Sequence, residues 1–258
     1  MYLLRSAALA TSLAVLTACS DYSTNRAPAS AASSAAPDTA AARKAAQEFR
    51  VHYNHPVDLD STDYYFQPIS VVALDGSGRS GGGSSYSGGS YESESVPTGI
   101  EGTCYNLVFF QKSTSAEHLL LPHNRFVITA IDAAIKPDVR WSYLFYTIIK
   151  TDTNRDGTQT NEDASTLYVS DRSGRQLQQL TPNGTDLIGW QILPKTSILL
   201  AEVRRDVNKN REFTYADGSY WLRFNLQNLK AAPTQQPSAT LSQQLHQQML
   251  NRQSRLTQ

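Results

Sequence analysis

Short hydrophobic runs, rich in β-branched and aromatic residues, recur between residues 105 and 229 with turn residues between them. Runs of this length and composition favour strands over helices. Residues 141–149 are apolar on both faces and predict a central strand, whereas 221–226 alternates between apolar and polar side chains, as a half-buried edge strand does. The predicted strands cover 107–110, 126–129, 141–149, 167–169, 187–193, 198–203 and 221–226. We therefore expect a mainly β fold.

The flanking segments differ from this region in composition. Residues 21–42 are mainly Ala, Ser, Thr and Pro, a composition that buries too little apolar surface to offset its ordering entropy, so they predict a flexible tether. Residues 64–74 predict one more strand, and the Gly- and Ser-rich residues 75–98 predict a flexible loop. In the Gln-rich tail, the apolar residues 241, 245 and 249 recur every four positions and indicate a short amphipathic helix. Asp38 is positioned to cap a short helix that ends near Glu48.

These patterns divide the chain into six segments. The segments are 1–18, a signal peptide; 19–45, a lipidated cysteine and disordered tether; 46–74, an N-terminal strand segment; 75–98, the loop; 99–229, a β-repeat domain; and 230–258, the tail.

The chain is similar to itself at two offsets. At an offset of 54 residues, 144–149 aligns with 198–203, and the Asp- and Asn-rich segment after the first run aligns with the one after the second. At an offset near 60, 107–109 aligns with 167–169, and residues 121–124 align with 180–183. A strand–turn–strand unit is therefore expected about three times.

One of these units resembles a known blade. In residues 167–190, an apolar strand ends in Asp171, a Gly turn follows, a second strand ends in Leu180-Thr181, and Trp190 comes later. This order resembles a blade of the periplasmic TolB-type β-propellers. A closed propeller needs at least four blades of about 40 residues, for which 99–229 is too short. The resemblance therefore implies antiparallel blade-like repeats, two full sheets with fragments, in an incomplete propeller or an open, sandwich-like body.

The first residues have the layout of a removable export signal. Arg5 precedes an apolar run from Ala7 to Leu16, which is too short to span a bilayer, and small residues lead to a cysteine. The segment from Leu16 to Cys19 resembles the lipobox of bacterial lipoproteins, and this implies cleavage before Cys19 and its acylation, as with palmitate. Ser20 implies, by the rule of that family, transfer to the outer membrane. The alternative is an ordinary secretory signal that contains a cysteine.

Charge and cysteine content narrow the classes of function. The chain has 23 basic and 23 acidic residues, so nothing indicates a nucleic-acid partner. With Cys19 acylated, Cys104 has no intramolecular partner, and a packed structural thiol is favoured over a reactive one.

The sharpest local motif is the segment from Asp152 to Asp163. Oxygen side chains at its first, third and fifth positions, Gly157 at the sixth and a carboxylate at the twelfth resemble an EF-hand-type calcium loop, here between strands as in dockerin-like Asp-rich loops. Gln159 at the eighth position and Asp rather than Glu at the twelfth depart from that pattern. The segment from Asp206 to Asp217 keeps the spacing but has Arg211 at the sixth position.

Both segments are therefore candidate sites for a structural calcium ion, with a plain hairpin rich in Asx turns as the alternative. The candidate ligands are Asp152, Asn154, Asp156, Thr158, Asp163, Asp206, Asn208, Asn210 and Asp217.

The sequence offers little for catalysis. His52, His55, His118, His123 and His246 are scattered without zinc-site spacing. The turn from Ser170 to Gly174 is one residue short of a sialidase Asp-box and predicts a hairpin turn. We expect Trp141, Trp190 and Trp221 to pack in the core rather than form a sugar-binding face, because they lie in or beside predicted strands with apolar neighbours.

We therefore expect a non-enzymatic lipoprotein, anchored in the outer membrane and facing the periplasm, whose β-repeat domain binds an envelope protein or glycan. The chief alternative is an enzyme or inhibitor acting on envelope polymers through the loop, where Tyr86, Tyr91, Glu92 and Glu94 lie. A third is a structural role in which the Gln-rich tail assembles oligomers.

Overall fold

Antiparallel strands dominate the described part of the chain. The computed structural model describes residues 39–74, 100–134 and 139–256, except for the side chains of residues 139 and 141. The first sheet contains β1 (Phe49–Tyr53), β2 (Val57–Asp58), β3 (Tyr64–Ala73), β4 (Thr103–Gln111) and β5 (Glu117–Leu119). The second contains β6 (Val127–Asp132), β7 (Tyr143–Ile149), β8 (Ser165–Asp171) and β9 (Gln178–Gln179). The third contains β10 (Thr185–Ile192), β11 (Ile198–Arg205), β12 (Ser219–Asn225) and β13 (Thr234–Gln236).

Two helices flank the strands in the described residues. Helix α1 (Thr39–Glu48) runs directly into β1, and α2 (Ala239–Leu256) follows β13. Short 3-10 turns cover Val139–Ser142 and Tyr215–Asp217. Neither α1 nor α2 has a buried residue. The helix expected in the tail is therefore present, with an exposed apolar stripe.

Each sheet is an antiparallel meander. The strand orders are β1-β3-β4-β5, β6-β7-β8-β9 and β10-β11-β12-β13, with β2 also paired to β3. The mainly β, blade-like fold expected from the sequence is confirmed. The expectation of two full sheets with fragments was wrong, since the segment before residue 75 completes a third sheet by pairing β3 with β4.

Alternating side chains on the middle sheet join the three layers. Leu144, Tyr146 and Ile148 of β7 pack against sheet 1, where they share one core cluster with Leu107 and Phe109 of β4. Other residues of sheet 2 face the opposite way and pack against sheet 3: Phe145, Leu167 and Val169 contact the cluster that contains Leu199, Ala201, Leu222 and Phe224. The prediction that 141–149 contains a central strand is confirmed, because β7 is covered on both faces.

Two details of the third sheet differ from expectation. Strand β12 has the predicted alternation, with Leu222, Phe224 and Leu226 buried, but β13 pairs with it, so β12 is not an edge strand. In addition, Tyr146 pairs with Tyr168 and Ala201 pairs with Leu222, which relates β7 to β11 at an offset of 55. The offset of 54 applies to the loops and to β8 and β12, and a one-residue difference reverses which side chains face the core.

Candidate functional site

The two Asp-rich segments occupy equivalent hairpins in neighbouring sheets. The first, from Asp152 to Asp163, joins β7 to β8, and the second, from Asp206 to Asp217, joins β11 to β12. We call them loop 1 and loop 2. Both connect the second and third strands of a meander, so the repeat seen in the sequence is also a repeat of position in the fold.

Side-chain oxygens organise the first half of loop 1. The carboxylate of Asp152 accepts the backbone N–H groups of Arg155 at 2.6 Å and Gly157 at 2.9 Å. Asn154 Oδ1 accepts the N–H of Asp156 at 3.0 Å, and Asp156 Oδ1 accepts the N–H of Thr158 at 2.8 Å. Consecutive Asx turns of this kind fold the segment into a tight coil.

Loop 2 repeats most of this pattern, except that its first carboxylate accepts the N–H of the fifth residue rather than that of the fourth. Asp206 accepts the N–H groups of Asn210 at 3.1 Å and Arg211 at 2.9 Å. Asn208 Oδ1 accepts the N–H of Asn210 at 3.0 Å, and Asn210 Oδ1 accepts the N–H of Glu212 at 2.9 Å. The two loops therefore have one architecture despite their different charges.

A carboxylate at the twelfth position closes each loop. Asp163 Oδ1 accepts the N–H of Thr153 at 2.6 Å, and Oδ2 accepts the N–H of Thr160 at 2.9 Å. Asp217 likewise accepts the N–H groups of Val207 at 3.1 Å and Thr214 at 2.9 Å. Burial alone raises the pKa of Asp163, but the N–H donors outweigh it and hold that pKa below its ordinary value. Hydrogen bonds from Thr214 likewise lower the pKa of Asp217.

Left-handed backbone occurs at the same two points of each loop. Residues at the fourth position, Arg155 and Lys209, have φ of 63° and 60°. At the sixth position, Gly157 has φ of 91° and Arg211 has φ of 72°. Only glycine adopts this region without steric cost, so loop 2 carries strain that loop 1 lacks.

The geometry fits only part of an EF-hand ligand set. In such a loop the twelfth residue binds calcium with both oxygens, whereas both oxygens of Asp163 here face N–H groups. Among the described residues, no group of three His, Cys, Asp or Glu side chains is arranged to hold a metal ion. Each carboxylate oxygen has two acceptor sites, so Asp152 retains acceptor capacity beyond the two N–H groups that it binds.

Loops 1 and 2 together line a polar cavity of about 280 Å³. Its walls include Asn154 and Asp163 from loop 1 and Arg211 and Thr214 from loop 2, with Asp186 of β10 completing the lining. Of the nine predicted calcium ligands, only Asn154 and Asp163 line this cavity, and Thr158 does not. The structure therefore places the two predicted loops beside one cavity rather than on separate surfaces.

Two charged residues outside the acidic motif lie beside the loops, and one of them, Asp186, lines the cavity. Asp186 Oδ1 accepts the N–H of Ser165 at 2.9 Å, and burial raises the pKa of Asp186. Arg204 donates to the backbone oxygen of Phe213 at 2.7 Å and lies 5.0 Å from the ring of Tyr215. Neither is a candidate ligand, and the position of Asp186 follows from the hydrogen bond that joins β10 to the start of β8.

The structure describes one of the two cysteines and none of the candidate residues in the Gly- and Ser-rich loop. Cys19 and the residues proposed in the Gly- and Ser-rich loop lie outside the described residues. Cys104 is buried in the core between sheets 1 and 2, and this burial raises its pKa to about 12, as expected for a structural thiol.

The aromatic and histidine candidates lie apart from the loops. Trp190 packs on Phe145 at 4.8 Å, which confirms its core role, whereas the half-buried Trp221 lies opposite Glu202 on the outer face of sheet 3. His52 lies 3.7 Å from Glu101, and His118 stacks on Phe109 at 5.5 Å. The side chain of Trp141 lies outside the described residues.

Comparisons with models of protein families and with curated protein sequences found no match. Within the described ranges, no helix is both long and apolar enough to cross a membrane.

Proposed function

We propose that this chain is an exported lipoprotein, anchored in the outer membrane through acylated Cys19 and facing the periplasm. Its β-repeat body serves as an interaction or scaffold module that binds an envelope protein or glycan, with calcium as a structural ion at the loops. The observation that carries the module is the pair of equivalent loops, which adjacent sheets bring to one cavity.

The cysteines support the anchor. The chain has two, and one of them, Cys104, is buried in the core with a raised pKa. Thiol acylation needs an accessible sulfur, so Cys19 at the end of the apolar run is the residue suited to it. Several acyl chains on one residue give stable anchoring, because each buried methylene contributes about 0.8 kcal/mol.

The rim of the cavity supports a binding role. Glu162, Arg211 and Glu212 are exposed side chains on the cavity lining, and they combine both signs of charge around the two loops. Charged groups fixed on rigid hairpins give specificity for polar partners. Loops that stand on stacked sheets are also the usual carriers of binding residues.

Calcium at loop 1 is supported by the spacing of its oxygens and by the left-handed Gly157, which permits the sharp turn. Extracellular calcium modules have dissociation constants of about 10⁻⁴ to 10⁻³ M. At about 10 mM calcium, binding to the folded state raises its melting temperature by roughly 3–10 °C. We expect this rise in thermal unfolding and heat release in titration calorimetry, with no effect of equal magnesium.

Two variants localise the effect. Asp156→Asn removes a carboxylate at the fifth position and is expected to abolish most of the calcium response. Asp60→Asn removes an exposed carboxylate outside the loops and is expected to retain it. The calcium part of the proposal fails if the unsubstituted protein gives no heat and its melting temperature is the same in calcium and in chelator.

A further inference from the structure

The outer face of sheet 1 is apolar. In β3 and β4, Phe66, Leu107 and Phe109 point towards sheet 2, so alternate residues point to the opposite face. Cross-strand partners share a face, and the pairs Val51 with Val71 and Val108 with Leu119 therefore lie on that outer face. We call this surface the open face, and it consists of Phe49, Val51, Tyr53, Val71, Val108 and Leu119.

The open face is accessible. Phe49, Val51, Tyr53, Val71 and Leu119 are between 36% and 66% exposed. Single exposed apolar residues are normal on protein surfaces, but Val51 pairs directly with Val71, and Phe49 and Tyr53 lie on either side of Val51 on the same face of β1. On the same face of the sheet, Leu119 pairs with Val108. Contiguous apolar surface of this kind marks an interaction site.

The positions equivalent to the open face in sheets 2 and 3 are covered by a neighbouring sheet. Val108, Tyr168 and Leu222 correspond across the three sheets. Tyr168 is buried against sheet 1 and Leu222 against sheet 2, each on the face that meets the preceding sheet. Val108 occupies the same position in sheet 1, which no other sheet precedes among the residues that the structure describes.

The outer face of sheet 3, at the other end of the stack, carries charged side chains among apolar ones, since Leu200 pairs with Arg223. Phe109 and Val169 are buried against the following sheet, whereas the equivalent residue in sheet 3 is Arg223. Glu202 of β11 lies on the same outer face, opposite Trp221. Terminal repeats with a polar outer face limit further stacking, so sheet 3 caps its end.

From this asymmetry we infer that the open face pairs with the open face of a second copy of this chain. Charge favours this occupant. The six side chains of the open face carry no formal charge. Asp58 and Glu117 share this outer side of sheet 1 but lie at one end of it, opposite Tyr65 and Phe110, and Lys112 neutralises Asp58 at 2.5 Å. Two open faces therefore meet without repulsion between their centres, whereas stacking on sheet 3 buries Glu202 and Arg223 against apolar side chains.

The size of the face sets the strength of pairing. Four strands about 4.8 Å apart and about six residues long outline roughly 400 Å² per copy. This is the size at which exposed patches become functional, and it lies at the low end for specific protein interfaces. We therefore expect a reversible two-fold dimer with a dissociation constant on the order of micromolar, whose two ends are the polar faces of sheet 3.

Sedimentation velocity of the full chain carrying Cys19→Ala, without lipid, tests the pairing independently of the proposed anchor. We expect the dimer to predominate at about 100 µM. The double variant Val51→Lys and Tyr53→Lys places two lysines of each copy in the contact and is expected to weaken the dimer more than about 100-fold. Val207→Lys changes a residue of loop 2 that is 67% exposed, and it is expected to leave the dimer intact.

Circular dichroism of the double variant checks that it is folded; if it is not, Val51→Thr, which keeps the β-branched shape, replaces it and is expected to weaken the dimer detectably. A monomer at every concentration contradicts the inference, as does a dimer unchanged in the folded variants. Binding of the monomer to phosphatidylethanolamine and phosphatidylglycerol vesicles, lost in the double variant, overturns it in favour of a lipid surface.

Discussion

At the scale of single residues, Gly174 shows how tightly sheets 1 and 2 are joined. It lies in the turn from β8 to β9 with φ of +74°, and its N–H donates to the oxygen of Asp171 at 3.0 Å. A Cβ at this position lies 2.4 Å from the ring of Phe109 in sheet 1. The hairpin turn predicted at residues 170–174 therefore has a second role, because it presses directly on the neighbouring layer.

Gly184 provides a matched control for this contact. It has the same φ of +74°, but a Cβ there meets nothing within 4 Å. Gly174→Ala adds an overpacking cost to the backbone cost and is expected to lower the free energy of unfolding by about 3 kcal/mol, against about 1 kcal/mol for Gly184→Ala. Urea unfolding measures both, and equal losses contradict the packing argument.

Asp163 joins the two ends of loop 1 through its carboxylate. Its carboxylate binds three N–H groups of loop 1 and is 4% exposed. Its pKa in the folded state lies below its ordinary value. The contribution to stability is therefore complete above the unfolded pKa of about 3.9 and is lost as pH falls through the folded value.

Asp163→Asn tests this linkage. At pH 7 the variant is expected to lose about 2 kcal/mol of unfolding free energy, because the loop N–H groups lose a charged acceptor. Below pH of about 4 the difference from the unsubstituted protein is expected to shrink, since its own carboxyl becomes protonated. Thermal unfolding between pH 7 and pH 3 measures the gap; a gap that stays constant is inconsistent with the assigned role.

At the scale of elements, the two hairpin loops share most of their hydrogen bonds but differ in the residue at their sixth position. Gly157 of loop 1 and Arg211 of loop 2 both have left-handed backbone, which only glycine accepts freely. The acidic spacing in the sequence predicted that the loops are equivalent. It also identified Arg211 as a departure from the pattern, which the structure shows to be a site of strain.

Exchanging these residues is expected to move stability in opposite directions. Arg211→Gly relieves the left-handed strain and is expected to raise the free energy of unfolding by about 0.5–1 kcal/mol. Gly157→Arg is expected to lower it by a similar amount, since no atom crowds that position. Arg211→Ala removes the side chain but keeps the strain, so a gain as large as that of Arg211→Gly implicates charge rather than backbone.

Local patterns predicted the strands well because each buried run has its own periodicity. The register between runs is not local, so the alignment of 144–149 with 198–203 was one residue short of the pairing in the sheets. Asp186 escaped prediction for the same reason, since it reaches the cavity from β10 rather than through the motif.

At the scale of the whole molecule, three meanders stack with β7 at the centre, and the two ends of the stack differ in polarity. Composition predicted the class of fold. It did not predict that β1 and β3 complete the first sheet or that β13 covers β12, because Gln and Thr in 234–236 carry no strand pattern of their own. The open face depends on the equivalence of Val108, Tyr168 and Leu222 across the three sheets, which no local pattern contains.

The most direct test of the proposed function is whether Cys19 is acylated. Labelled palmitate is supplied to bacterial cells that produce either the unsubstituted chain or Cys19→Ala, and the membranes are then fractionated. Our account predicts label and outer-membrane localisation for the unsubstituted chain and the loss of both in the variant. An unsubstituted chain without label, or a variant that retains the label, contradicts it.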